Sequence, residues 1–241
     1  MKRLVDLVIS FFGLILATPI LIPVILIIWI QDFKSPFYIA KRVGKGEQEF
    51  KMVKLRSMII NADSTGVDST SANDARITRI GHIIRRFKLD ELTQLWNVFL
   101  GDMSLVGPRP NVKKETDLYT LPEKLLLTVR PGITDISSII FSDEGDILAN
   151  KEDPDLAYNQ LIRPWKSRLG LIYIEHQSFL LDMQLIIITV VAVFSRGRAI
   201  TWKTKKLEKI NVDKEIIAIS SRKNDLYPHP PPGTNNIVNS R

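Results

Sequence analysis

The chain opens on an apolar run with no charged residue, Leu7 to Ile30. As a helix rising ~1.5 Å per residue it would be roughly 36 Å long, enough to cross a bilayer. Thr18-Pro19 and Pro23 sit in its middle. Proline there removes a backbone hydrogen bond and crowds the preceding turn. Both flanks are basic: Lys2 and Arg3 before it, Lys34, Lys41 and Arg42 after it. Charge therefore gives no direction for a crossing. A helix that breaks near Pro19 and turns back, leaving both ends in the cytoplasm, meets both observations, with a kinked spanning helix as the alternative. The run is long for a signal peptide, and no small-residue cleavage site follows it.

Beyond the run the periods shorten. Phe37-Tyr38-Ile39-Ala40 reads as a short strand, and Phe50 to Met58 alternates apolar with basic residues, a strand with one cationic face. Asn61 to Asn73 is a polar loop. From Asp74 a helical stripe of Ile77, Ile80, Ile83, Ile84 and Phe87 opposes Arg79, His82 and Arg86, an amphipathic pattern suited to a membrane surface. A second helical pattern follows Lys88. It has Leu92, Leu95, Trp96 and Phe99 on a face expected to be buried and Asp90, Gln94 and Asn97 on a polar face. Gly101 stops it.

Asp153 to Gln177 reads as two short helices parted at Arg163-Pro164, with Trp165 and Tyr173 either interfacial or in the core. Phe179 to Phe194 is apolar but short and carries Asp182, which suits an interfacial or core helix. Lys203 to Lys209 is basic, and the proline-rich end from Tyr227 lacks any apolar period. The fold expected is α+β and helix-dominated: a monotopic membrane protein with a re-entrant N-terminal helix, interfacial amphipathic helices and a small β element. Its parts are an anchor over 1–33, a cytoplasmic domain over 34–200 and a largely disordered basic tail over 201–241.

Composition narrows the chemistry. The net charge is +7, which favours nucleic acid, anionic membrane or phosphorylated substrates. No nucleic-acid-binding motif accompanies it. Cysteine is absent, excluding disulfides, thiol nucleophiles and thiolate metal sites. His82, His176 and His229 are too scattered for a histidine metal site.

The candidate chemistry lies between Lys88 and Pro110. Two adjacent carboxylates, Asp90 and Glu91, follow Arg85, Arg86 and Lys88. Cations and a helix start both favour the ionised carboxylate, either as a nucleophile toward phosphorus or as a ligand for a hard cation. Such acids also occur at helix starts for electrostatic reasons alone. Gly107-Pro108-Arg109-Pro110 presents one arginine in a rigid turn, and the strand before it adds Lys54 and Arg56, with Lys51 less well placed.

These segments, with Asp74-Ala-Arg76-Ile-Thr78-Arg-Ile-Gly81 and Val129-Arg130-Pro131-Gly132-Ile133-Thr134, stand in the order seen in bacterial sugar transferases. Over roughly residues 1–200 the chain resembles that family, the monotopic polyprenyl-phosphate phosphoglycosyl transferases. The resemblance implies transfer of a sugar-1-phosphate from a UDP-sugar to undecaprenyl phosphate, with release of UMP, at the cytoplasmic face of the inner membrane, which begins a surface glycan. It implies Asp90 as nucleophile and carrier of a phospho-sugar intermediate. Asp90 and Glu91 would bind Mg²⁺, and Arg109, Arg85 and Arg130 would meet phosphate.

One departure stands out. Many members continue Gly-Trp-Ala-Gln-Val-Asn-Gly-Arg after the Pro-Gly-Ile-Thr segment, where this chain has Asp135-Ile136-Ser137-Ser138-Ile139-Ile140. The sugar is therefore not carried over. The competing reading is a non-catalytic membrane scaffold for glycan-assembly enzymes, in which mutating the acid pair is silent. The glycan and the oligomeric state, a homo-oligomer included, stay open.

Overall fold

The N-terminal apolar run forms one helix, α1 (Lys2–Asp32), in a computed structural model that describes residues 1–67, 69–210 and 212–239. The expected break at Pro19 is absent, and the helix runs through both prolines. Pro19 and Pro23 lie on its exposed side, so the missing hydrogen bonds and the ring crowding fall away from the packed side. That packed side is a narrow stripe: Asp6, Ser10, Ala17, Leu21 and Ile28 are buried, and Gly13 meets Leu95. Most of the rest is apolar and exposed, including Phe12, Leu16, Ile20, Leu26 and Ile30.

Polar contacts fix both ends of α1 to the same body. Lys2 Nζ donates to Val106 O, Tyr173 Oη and Asp182 Oδ2 at 2.7–2.8 Å. Asp6 Oδ1 accepts from Ser104 Oγ and the Leu105 N–H. At the other end Arg56 grips Asp32 through two 2.6 Å hydrogen bonds.

Strands β1 (Phe37–Val43) and β2 (Glu49–Leu55) form an antiparallel hairpin. The polar loop that follows has one 3₁₀ turn, Ala62–Thr65, and is gathered by Arg76, which donates to Ala62 O, Val67 O and Ser69 O; Asp68 lies outside the described residues. Thr78 caps α2 (Arg79–Arg86) by accepting from the Gly81 N–H. α2 presses on the segment that leaves β2 so closely that a Cβ at Gly81 would lie 1.9 Å from Ser57 O.

The next two turns, α3 (Leu89–Leu92) and α4 (Leu95–Leu100), reverse the expected faces. Thr93, Gln94 and Asn97 are buried, while Trp96 and Leu100 are about half exposed. The reason is the open edge of β2. Asn97 Oδ1 accepts from the Val53 N–H at 2.9 Å, and its Nδ2 donates to Lys51 O at 2.7 Å. A side-chain amide thus satisfies backbone groups that would otherwise need another strand. The apolar residues are left to face α1 or the outside.

β3 (Ser104–Val106) and β4 (Gly132–Thr134) pair in parallel behind this unit. A Cβ on Gly132 would lie 2.1 Å from Gly107 N, so only glycine permits this approach. β4 leads into α5 (Ile136–Ile140), capped by Asp135. After a helical turn at Glu144–Ile147, Pro154 starts a segment that relaxes through a π turn, Tyr158–Ile162, into α6 (Arg163–Glu175). Trp165 and Tyr173 are fully buried, which settles them as core residues. α7 (Phe179–Phe194) buries Leu181, Leu185 and Ile188 and exposes Leu180, Ile187 and Val190.

The expected disordered tail is largely structured among the described residues; Asn211, Ser240 and Arg241 lie outside them. It supplies α8 (Arg196–Lys209) and α9 (Lys214–Ser220). The proline-rich end then binds across the domain. His229 packs 4.3 Å from the Trp165 ring, and Pro230 O accepts from Arg168. Rings and carbonyls need no apolar period to pack, so the periodicity did not register this segment.

Candidate active site

Lys88, in a left-handed conformation at φ 53°, separates α2 from α3 and turns Asp90 and Glu91 toward a cleft of about 980 Å³. β2 brings Lys54 to that cleft, α2 brings Arg85, and the turn after β3 brings Arg109. That turn is held from both sides: Gly107 N–H donates to Thr134 O, and Pro108 O accepts from the Gly132 N–H, each at 3.0 Å.

The two carboxylates have different surroundings. Glu91 Oε1 accepts a 2.7 Å hydrogen bond from Arg109 Nη2. Burial pushes the Glu91 pKa up, but Arg109, Lys88 and Lys54 outweigh it and hold it at about 2. The same contact raises the pKa of Arg109. Asp90 accepts no side-chain hydrogen bond among the described residues. Burial raises its pKa above the ordinary carboxylate value, and Glu91 adds to this, against the pull of Lys54, Arg85 and Arg109. Asp90 is thus the more basic carboxylate, and Glu91 is the clamped one. Lys54 is held down at about 8, first by burial and then by Arg109.

Six of the seven expected site residues line the cleft: Lys54, Arg56, Arg85, Asp90, Glu91 and Arg109. The Arg56 guanidinium is engaged with Asp32 and Ile28 O, so it fastens α1. Arg130 does not line the cleft; its Nε donates to Gly101 O. Lys51 is exposed and also outside it.

The opposite wall was not foreseen. It includes Glu115, Tyr119, Ser138, Tyr158 and Lys166, drawn from segments far along the chain. Lys166 pairs with Glu144 there. Three buried atoms lining the cleft, Gln94 Nε2, Glu115 Oε2 and Ser138 Oγ, have no hydrogen-bond partner among the described residues. Buried polar atoms are nearly always paired, so three in one cleft point to a polar ligand. Ser138 falls in the segment that departs from the family motif, the one sequence signal for this wall.

No group of three or more His, Cys, Asp or Glu among the described residues makes a metal cage. Mg²⁺ is commonly held by one or two carboxylates together with substrate phosphates and water. Asp90 and Glu91, two hard oxygen donors beside a cationic cleft, fit an ion of that kind.

The family model described as bacterial sugar transferase matches residues 1–196. The UDP-N-acetylgalactosamine-undecaprenyl-phosphate N-acetylgalactosaminephosphotransferase of Aeromonas hydrophila is 30% identical over 68% of this chain and 40% of its own length. The UDP-galactose-lipid carrier transferase of Erwinia amylovora is 38% identical over 56% of this chain and 31% of its own. The UDP-glucose:undecaprenyl-phosphate glucose-1-phosphate transferase of Xanthomonas campestris pv. campestris is 33% identical over 82% and 40%. The chain thus spans well under two thirds of the length of these relatives.

Proposed function

Because the chain belongs to the bacterial sugar transferase family, we propose that it transfers a sugar-1-phosphate from a UDP-sugar to undecaprenyl phosphate and releases UMP. The observation that carries this reading is the unlike acid pair: Asp90 more basic and without a side-chain hydrogen bond among the described residues, Glu91 clamped by Arg109, both in a cationic cleft. An Asp90 oxygen attacks the β-phosphorus. A P–O bond to Asp90 forms as the bond to the bridging oxygen breaks, and UMP leaves with that electron pair. A phosphate oxygen of the lipid then attacks the same phosphorus and displaces Asp90.

Arg109 and Lys54 screen the repulsion between anionic nucleophile and anionic diphosphate, and Arg109's planar fork suits phosphate oxygens. Asp90 and Glu91 would hold Mg²⁺, which supplies Lewis-acid stabilisation of phosphoryl oxygens when bound. The relatives differ in the sugar they name, so the wall bearing Glu115 and Ser138 is where the donor sugar is chosen.

We place the protein in the cytoplasmic membrane, with the cleft on the cytoplasmic side. The exposed apolar side of α1 faces lipid, joined by Ile83 of α2, Phe87 just after it, and Trp96 and Leu100 of α4. Both ends of α1 are bound to one body, which fits a helix that lies along one leaflet instead of crossing the bilayer.

The direct test is a panel of UDP-sugars assayed for UMP release in the presence of undecaprenyl phosphate and Mg²⁺. One donor is expected to turn over, and a phospho-sugar adduct is expected on Asp90 by mass spectrometry. No UMP from any donor would leave the scaffold reading.

The pH profile tests the cations. Asp90 must be ionised, so kcat/KM falls as pH drops through its raised pKa. Lys54 must be charged, so kcat/KM falls again as pH rises through about 8. The alkaline loss approaches tenfold per pH unit, and Lys54→Arg, which cannot deprotonate in this range, is expected to remove that limb while leaving the acid one.

A further inference from the structure

Away from the cleft, one buried ammonium lies 5.8 Å from the Trp202 ring centroid and has no hydrogen-bond partner among the described residues. Lys203, in the middle of α8, is 1% exposed, and its Nζ makes no hydrogen bond among the described residues. An ammonium taken out of water without a partner is strongly unfavourable. Asp135 is the acid that acts on it, but that carboxylate already accepts from Ser137 Oγ and the Ser138 N–H.

Lys203 lines a second cavity, of about 210 Å³, between α6, α7 and α8, which shares no lining residue with the Asp90 cleft. Lys206, one turn further along α8, lines it too, as do His176 at the end of α6 and Ser178 at the start of α7. The 16-residue α7 points the positive end of its dipole this way. Ile136 and Leu207 give the cavity apolar walls. Phe179 and Leu180, beside Ser178, are exposed.

We propose that this cavity binds a phosphate monoester group, held between Lys203, Lys206 and the N-terminus of α7. Inorganic phosphate and the head of an anionic lipid such as phosphatidate share that chemistry. Burial holds the Lys203 pKa at about 7, and a bound anion would restore its charge near neutrality. The inference is independent of the transfer reaction.

The test uses the full chain in neutral detergent, in a Lys54→Met background that weakens the cleft's own hold on phosphate. Sodium phosphate, against chloride at equal ionic strength, is expected to raise the unfolding midpoint by about 3 °C. In a second arm, vesicles of phosphatidylcholine with phosphatidate are expected to sediment more of the protein than phosphatidylcholine alone. Loss of either response on adding Lys203→Met supports the site and identifies the source of its anion. Both responses surviving that change, or neither appearing in the parent, overturns it. Lys203→Met removes an unpaired buried charge, so its midpoint without phosphate is expected to stay level or rise; Lys203→Gln repeats the measurement if the Met variant does not fold.

Discussion

Asp90→Asn is expected to lower UMP release by roughly 10⁴-fold or more, the scale of loss when a covalent nucleophile is removed. The amide has nearly the same shape, and Asp90 accepts no side-chain hydrogen bond among the described residues that the change would break. The fold and the Arg109–Glu91 pair should therefore survive. Donor binding is expected to hold or tighten slightly, because one negative charge leaves a site that receives a diphosphate. The phospho-sugar adduct should vanish together with turnover. A variant that kept both turnover and adduct would move the nucleophile elsewhere. Glu91 is a poor substitute, since Arg109 occupies one of its oxygens and its pKa of about 2 marks a weak base.

Arg109→Met is expected to damage both catalysis and stability. It removes the planar cation that faces the diphosphate, a loss of about 10²–10³-fold in kcat where such a group stabilises transition-state charge. It also strands Glu91, whose side chain is 18% exposed. Breaking a fully buried pair costs about 3–5 kcal/mol. Arg109 keeps 33% of its side chain exposed, so about 2 kcal/mol is the better expectation. At this chain length that lowers the melting temperature by roughly 4–8 °C, readable by calorimetry. Arg109→Lys should recover most of the stability but little of the rate, because a point charge does not reproduce the fork.

The acidic and cationic side of the cleft was legible because its residues are local in sequence. Asp90 and Glu91 are adjacent, Arg109 is bracketed by prolines, and Lys54 follows from alternation along a strand. The opposite wall was not, since Glu115, Ser138 and Tyr158 stand in three separate helical turns, far apart in the chain, that meet only in the fold. Arg130 misled for a related reason. It belongs to the segment that holds the Arg109 turn, yet its side chain leaves toward Gly101 O. The reversed faces of α4 have a different origin. Periodicity assumes that water lies on the polar side of a helix. Here the polar side meets the unpaired edge of β2 and the apolar side meets α1 and the exterior, so the rule inverts. The same assumption hid the narrow packed stripe of α1, where Asp6 and Ser10 are buried among residues chosen for lipid.

The fastening of α1 also sets an order in time. Lys2 binds Asp182, 180 residues later, and Asp6 binds Ser104 and Leu105, about a hundred residues later. At ~5–20 residues per second, a ribosome needs roughly 9–36 s to make the distance between Lys2 and Asp182. Through that interval the apolar run is already made while part of its protein frame is still missing. On the membrane placement proposed above, lipid would shelter that segment while the rest is being made, so the bilayer would act on the nascent chain as a holding chaperone before it serves the mature one as a floor.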